Sequence, residues 1–488
     1  MALVSATLRF GGREIAPAAF EASARRAAAG FERLGVGEGD VVWIMLYNEP
    51  AYLEAMFGAR LLGAYSCPIN WHYRAEEAGW ILKDSGAKVL VTDARLRAQI
   101  EGGIPGHVAV ITGHSWPDAP WPHEPRRPRM SMPYTSGTTG RAKGVRRIPP
   151  PPEQAPVVEA LNREGIKRVH GIDPAMRALL SAPLYHSAPN GYGLQVMLNG
   201  ALLALEERFD AERTLALVQD LKLTHAYLVP TMYVRLLRLE QQIKARYDTS
   251  SMRFVSSTGS PCAAGVKRAM IDWWGLVFNE SYAASELGYV TSITSQEALR
   301  KPGSAGRALG SAALRILDES GRELPPGEVG LIYARQPAFP DFTYNNNPEA
   351  RRKVERDGLW SMGDMGYLDP DGYLYVVDRA SDMVISGGVN IYPAEIEAVL
   401  ITMPGVHDCA VFGIPDEEFG EALCAAVQLD PGAQIDTQDV VGFLKNRISN
   451  YKVPKRIEFH AGLPREESGK IFKRKLRAPH WEKAGRKI

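Results

Sequence analysis

The sequence predicts an α/β protein: a large N-terminal domain of doubly wound sheets carrying a β-rich subdomain, then a small α+β C-terminal domain. Three observations predict this. Short apolar runs alternate with amphipathic stretches through residues 1–130, the pattern of strand–helix–strand units with parallel strands. From about residue 300 the apolar runs shorten and turn signals multiply, at Pro325-Pro326-Gly327 and Asp371-Gly372. Near Asp378-Arg379 the texture changes again, to a stretch of about a hundred residues, the usual size of a compact domain.

Taken in order, residues 20–34 have helical apolar spacing and stop at Gly35-Val36-Gly37-Glu38-Gly39-Asp40. Residues 41–46 read as a buried strand, 51–62 as a helix closed by Gly63, and 64–69 as the next strand. Residues 75–84 form a helix ended by Gly86, and 88–92 a strand. Residues 118–133 are proline-rich and read as loop. Beyond Pro149-Pro150-Pro151-Pro152 a helix starts over 153–163, and 179–189 is a strand running into a loop. Helical spacing returns at 211–223, with strands at 225–229 and 254–258 and a segment 276–282 leading to Ala283-Ala284-Ser285-Glu286. In the last hundred residues, 395–400 and 437–448 are helical, and 409–412 and 422–429 are strands. The domain boundaries expected are 1–378, a hinge at 379–381, and 382–488, with the β-rich part at about 300–378. No internal repeat is found.

A chain of 488 residues exceeds one ordinary domain. With 45% hydrophobic and 23% charged residues it has the composition of a globular protein, and a net charge of +1 gives no support to nucleic-acid binding. The basic run 470–477 reads on its own as a solvated tail. The four cysteines, Cys67, Cys262, Cys409 and Cys424, form no C-x-x-C pair, so neither a zinc framework nor disulfides are expected and the reducing cytoplasm is. The N-terminus has no secretory signal pattern, and no apolar run is long enough to span a bilayer, which leaves peripheral membrane contact open.

The stretch with the densest chemistry is Tyr134-Thr135-Ser136-Gly137-Thr138-Thr139-Gly140-Arg141-Ala142-Lys143-Gly144. Its glycines let backbone N–H groups crowd around an anion, its hydroxyls add donors, and Lys143 adds a mobile positive charge. That combination suits nucleotide phosphates, although the spacing is not that of a Walker A loop and a plain Ser/Thr/Gly loop has the same composition. G-x-S-x-G, H-E-x-x-H and G-x-G-x-x-G are absent, which removes motif support for a serine hydrolase, a zincin or a dinucleotide oxidoreductase.

Further motifs follow in a fixed order: Pro183-Leu184-Tyr185-His186-Ser187, Gly259-Ser260-Pro261, Tyr282-Ala283-Ala284-Ser285-Glu286, Trp360-Ser361-Met362-Gly363-Asp364, Asp378-Arg379, the loop from Asp382 through Gly387-Gly388 to Glu397, and Leu463-Pro464-Arg465-Glu466-Glu467-Ser468-Gly469-Lys470. In this order, over nearly the whole chain, the sequence resembles the adenylate-forming superfamily of acyl-CoA synthetases, firefly-type luciferases and peptide-synthetase adenylation domains. Any one motif alone has a bland reading. His186 alone reads as a satisfied core histidine, Asp364 as turn chemistry, and Lys470 as a surface lysine.

The resemblance implies a role for each motif. Thr135, Ser136, Gly137, Thr138, Thr139, Gly140 and Lys143 hold the β- and γ-phosphates, with Thr138 also in the catalytic set. Gly259, Ser260, Pro261, Glu280, Ser281 and Tyr282 flank adenine, Ser285 touches the α-phosphate, and Glu286 holds Mg²⁺. Asp364 accepts from the ribose hydroxyls and Arg379 reaches ribose or phosphate. His186 gates or lines the acyl site, whose candidate lining is Tyr185, Tyr192, Tyr227, Val229, Gly259 and Ala283. Gly387 and Gly388 let the loop backbone approach the pantetheine of CoA, and Lys470 bridges the attacking carboxylate and the α-phosphate. The C-terminal domain is implied to swing about the hinge between adenylate-forming and thioester-forming orientations.

Five departures stand out. Ala142 replaces the family's proline, Arg146-Arg147-Ile148-Pro149 replaces a histidine, Ala283 replaces glycine, Ser285 replaces threonine, and Ser381 stands at the hinge where Asp or Lys is usual. The activity implied is an ATP- and Mg²⁺-dependent acid–CoA ligase for a fatty, aryl or polycyclic acid, acting as monomer or homodimer. Kept beside it are an amide ligase, an acyl-AMP ligase loading a carrier protein, and a catalytically silent acyl- or nucleotide-binding protein.

Overall fold

Every residue of the strand Val41–Met45 is buried, as a near-continuous apolar run in a parallel sheet must be. It lies inside a four-stranded parallel sheet ordered Tyr65–Pro68, Val41–Met45, Val89–Thr92, Ala109–Thr112. The computed structural model describes residues 3–135, 142–387, 389–465 and 471–483. A nine-stranded sheet forms the second layer system, ordered Arg307–Ala308, Gly288–Thr294, Phe278–Ala284, Phe254–Ser257, His225–Tyr227, Arg177–Leu180, Leu202–Leu205, Thr7–Phe10, Arg13–Ile15. Its six central strands are parallel and only its margins are antiparallel. Helices Pro17–Arg33 and Pro50–Leu61 pack their apolar faces into the core of this sheet, with Phe20 edge-on to Phe57.

The chain forms two compact units, Met1–Leu314 with Ala334–Trp360, and Arg315–Tyr333 with Ser361–Ile488. Both parallel sheets belong to the first. So does a small antiparallel sheet of Phe342–Tyr344, Lys143–Arg147 and Tyr134–Thr135. The second unit contains a five-stranded sheet in which Gly420–Leu429 pairs antiparallel with Val406–Asp416 and parallel with Arg456–His460. Helix Pro393–Leu400 and helix Thr437–Lys445 pack in its apolar core, and helix Lys473–Lys483 packs against the long strand Val406–Asp416. Among the described residues no helix is long and apolar enough to cross a membrane.

The alternating elements of the first hundred residues lie where periodicity places them: Pro50–Leu61, Tyr65–Pro68, Ala75–Ser85 and Val89–Thr92. One segment differs. The expected loop after the strand near residue 180 is a helix from Ser187, with His186 at its N-cap and Pro189 in its first turn. First-turn N–H groups have no intrahelical partner, so proline is tolerated there and its helix-breaking signal misleads. The hairpin Thr7–Phe10 and Arg13–Ile15, which has no strong apolar alternation, extends the edge of the nine-stranded sheet.

Candidate active site

The hairpin of Tyr134–Thr135 and Lys143–Arg147 sets the first group of functional side chains. Gly144 is required there because the Tyr134 ring lies over it: a Cβ would come within 2.7 Å of the ring. Tyr134 is anchored by donating to Asp84 at 2.6 Å. Glu286, almost fully buried, receives the Thr135 hydroxyl at 3.2 Å and the Tyr344 hydroxyl at 3.0 Å, both on Oε1. Lys143 lies 5.1 Å over the Tyr344 ring. Next along the chain, Ser285 Oγ is 2.9 Å from Ser187 Oγ at the start of the helix that His186 caps. Thr135, Lys143, Ser285 and Glu286 are thus brought together.

Arg147 holds this corner in place. It is buried, donates to the carbonyls of Ser285 at 2.6 Å and Pro340 at 2.8 Å, and lies beside Glu286. Burial pulls its pKa down to about 10, opposed by Glu286 and Asp341, so it stays charged at neutral pH. Sequence reasoning assigned nothing to the Arg146-Arg147 position.

A second group is aromatic. Tyr192 on the helix Ser187–Asn199 lies 5.6 Å from Tyr227 and 5.2 Å from His170. His170 is 5.1 Å from Tyr289, and Ala283 packs with Tyr289 and Phe339. Three acyl-site candidates, Tyr192, Tyr227 and Ala283, therefore surround His170 and Tyr289, which sequence reasoning missed. Both His170 nitrogens are engaged, by Ser256 Oγ at 3.1 Å and Tyr289 Oη at 2.9 Å. Burial holds its pKa down at about 3, so the ring is neutral. An unfolded histidine titrates near 6.5, and the folded one resists protonation down to about 3. Stability from this group is full above pH 6.5 and falls as pH drops toward 3. At pH 5.5 its loss is about 1.4 kcal/mol. His170→Asn is expected to narrow the drop in Tm between pH 7.5 and 5.5, read by calorimetry.

Tyr185 is buried in another aromatic set, with His186 at 4.2 Å and Trp71 at 6.0 Å. Gly259, Ser260 and Pro261 lie beyond the end of strand Phe254–Ser257, where parallel sheets present ligand-binding loops. Gly259 has φ +97° with open space beside it. Val229 caps the helix Pro230–Leu237, and Ser281 and Tyr282 lie on strand Phe278–Ala284. Glu280 does not join this group: its carboxylate pairs with buried Lys267 at 2.7 Å, in a small cavity lined by Tyr233, Phe278 and Ile293. That ion pair uses the side chain to brace strand against helix.

In the second unit, Asp364 and Arg379 are cross-strand partners, 3.3 Å apart. Gly387 has φ +58°, and a Cβ there would meet the Phe419 ring at 2.9 Å, so both conformation and contact call for glycine. The Ser381 carbonyl accepts from Arg477 at 3.1 Å. Lys473, half-buried beside Glu397 at 2.8 Å with Asp378 and Asp382 nearby, is a further cation that sequence reasoning passed over. Ser136, Gly137, Thr138, Thr139, Gly140, Gly388 and Lys470 lie outside the described residues.

The family models decide what this arrangement belongs to. Residues 2–339 match the AMP-binding enzyme model and 395–470 match the AMP-binding enzyme C-terminal domain. The chain belongs to the AMP-binding enzyme family. Within it, a feruloyl-CoA synthase from Amycolatopsis is 36% identical over 96% of this chain and 95% of its own. A long-chain-fatty-acid–CoA ligase from Mycobacterium tuberculosis is 32% identical over 94% and 92%. The solved o-succinylbenzoate CoA synthetase of Bacillus subtilis, in complex with its acyl-adenylate, superimposes with a TM-score of 0.81 at 26% identity, over 97% and 95% of the two chains. The family's fold, a large N-terminal sheet domain with a small C-terminal domain, is the fold of this chain.

Proposed function

We propose that this acid–CoA ligase acts on an aromatic monocarboxylic acid bearing a hydroxyl at the end far from its carboxylate. The general reaction is that of the family: ATP and the acid give an acyl-AMP and pyrophosphate, and CoA then gives the thioester and AMP. Its substrates are a carboxylic acid, ATP and CoA, with Mg²⁺.

The observation carrying the substrate reading is the buried Tyr192 hydroxyl, which has no hydrogen-bond partner among the described residues. It sits in an aromatic cluster beside a histidine that burial keeps neutral. A flat ring suits such walls, and a substrate hydroxyl relieves the cost of the orphaned phenol. A second ionised group there would be buried without a counter-charge. The feruloyl-CoA synthase similarity supports the same acid class.

In this reading Lys143, with the residues from Thr135 to Gly140, holds the phosphates, Ser285 contacts the α-phosphate, and Tyr282 with Gly259–Pro261 frames adenine. Glu286 fits Mg²⁺ because it is a hard carboxylate fixed by two hydroxyls and a buried arginine, and Mg²⁺ needs only one or two protein oxygens beside phosphate and water. When bound, the ion neutralises phosphate charge. Asp364 and Arg379 bind ribose, His186 and Tyr185 border the carboxylate, and Lys470 stabilises the charge that develops during adenylation. The hinge is placed at 379–381, between domains 1–378 and 382–488. The C-terminal family model beginning at residue 395 supports a boundary upstream of it. Four buried free cysteines support a reducing, cytoplasmic setting.

Pyrophosphate release across hydroxylated aryl, unsubstituted aryl and fatty acids, with and without CoA and with products weighed, tests the reading. A hydroxyaryl acid is expected to turn over best and to give the CoA thioester. Tyr192→Phe is expected to lower kcat/KM for it about 10-fold, equivalent to one hydrogen bond, and to leave the unsubstituted analogue unchanged. Equal rates for fatty and hydroxyaryl acids would refute the acid class. Acyl-AMP accumulation without thioester would move the acceptor to an amine or a carrier protein.

A further inference from the structure

Away from the proposed active site, three chain segments of the second unit bring metal-binding side chains to one face of the C-terminal sheet. Cys424 lies on strand Gly420–Leu429, Glu458 on strand Arg456–His460, and His480 on helix Lys473–Lys483, packed over that face through Leu476. One ligand atom from each lies within 4.8 Å of the other two. His480 Nε2 is 3.6 Å from Glu458 Oε2. This separation is long for a hydrogen bond. It matches the edge of a zinc tetrahedron, about 3.3–3.8 Å for bonds of about 2.0–2.3 Å.

Two further details point the same way. The other carboxylate oxygen, Oε1, is held by Arg456 Nε at 2.6 Å, which orients Oε2 toward the His480 imidazole. The His480 ring is steadied 6.0 Å from Phe412.

We propose that Cys424, Glu458 and His480 bind a zinc ion, with a water in the fourth position. A thiolate, an imidazole and one carboxylate are the donor set of a borderline-soft cation, not of Mg²⁺. Binding releases the Cys424 thiol proton to solvent and forms the Zn–S bond without redox change. The ion pins the helix Lys473–Lys483 to the sheet.

The test uses full-length protein stripped with chelator, without nucleotide or Mg²⁺, titrated with Co²⁺ and then Zn²⁺. A thiolate-to-cobalt charge-transfer band saturating at about one equivalent per chain, and bleached by Zn²⁺, is the expected result. Cys424→Ser is expected to abolish the band. His480→Gln, which leaves the buried thiol in place, is expected to weaken Zn²⁺ binding at least about 10-fold. Absence of the band in wild-type protein, or its persistence in Cys424→Ser, overturns the proposal. Unchanged zinc affinity in His480→Gln overturns it as well, should Cys424→Ser fail to fold.

Discussion

Lys470→Ala is expected to slow pyrophosphate release from ATP and the acid by roughly 10²–10³-fold, the scale of losing one preorganised charge at a developing anion. Thioester formation from synthetic acyl-AMP and CoA is expected to stay near the wild-type rate. The cause is electrostatic. An ionised carboxylate attacks an α-phosphate that is also negative, so the first half-reaction must bring two anions together, and a lysine between them offsets the repulsion. In the second half-reaction a thiol attacks a mixed anhydride in which that repulsion has already been resolved. Measuring the half-reactions separately therefore discriminates a catalytic from a structural lysine. Equal loss in both would remove Lys470 from the adenylation chemistry and return it to the basic run 470–477.

Arg147→Met carries the second large effect, this time on stability and activity together. The guanidinium is buried, bridges the carbonyls of Ser285 and Pro340, and lies close to Glu286. Methionine fills similar volume but leaves two carbonyls and a buried carboxylate uncompensated. Removing one partner of a buried ionic group costs about 3–5 kcal/mol. A matching fall in the urea midpoint is expected at unchanged m, with a loss of adenylation because Ser285 and Glu286 lose their support. Arg147→Lys keeps the charge but cannot reach both carbonyls with one fork, so it is expected to recover more stability than activity. A wild-type urea midpoint in Arg147→Met would show that the corner holds itself.

The comparison of Arg147 with Lys143 shows where the sequence was legible. Lys143 follows a glycine- and hydroxyl-rich run, and that local composition alone points to phosphate chemistry. Arg147 lies a few residues on, in the same strand, but its partners Ser285 and Pro340 are more than a hundred residues away. No local pattern announces such a pairing. Glu280 is the converse. Its place two residues before Tyr282 groups it with the nucleotide residues, yet buried Lys267 claims its carboxylate. The helix from Ser187 was hidden by Pro189, because helix-breaking rules apply to interiors and not to first turns. His170 and Tyr289 were passed over since an isolated histidine or tyrosine looks like ordinary core until its neighbours are known.

By itself the sequence determined the α/β class, the alternation of elements through the parallel sheets, and the ordered motifs that mark an AMP-forming ligase. All of these are written in period, glycine placement and local composition, which act over a few residues. Only the tertiary structure decided that Thr135 and Tyr344 share Glu286, that Arg147 braces Ser285, that His170 is buried neutral among tyrosines, and that Cys424, Glu458 and His480 converge on one face. Those relations depend on which distant segments the sheets bring together and which groups burial strips of water. Desolvation and long-range pairing are properties of the packed chain, and no short stretch of it contains them.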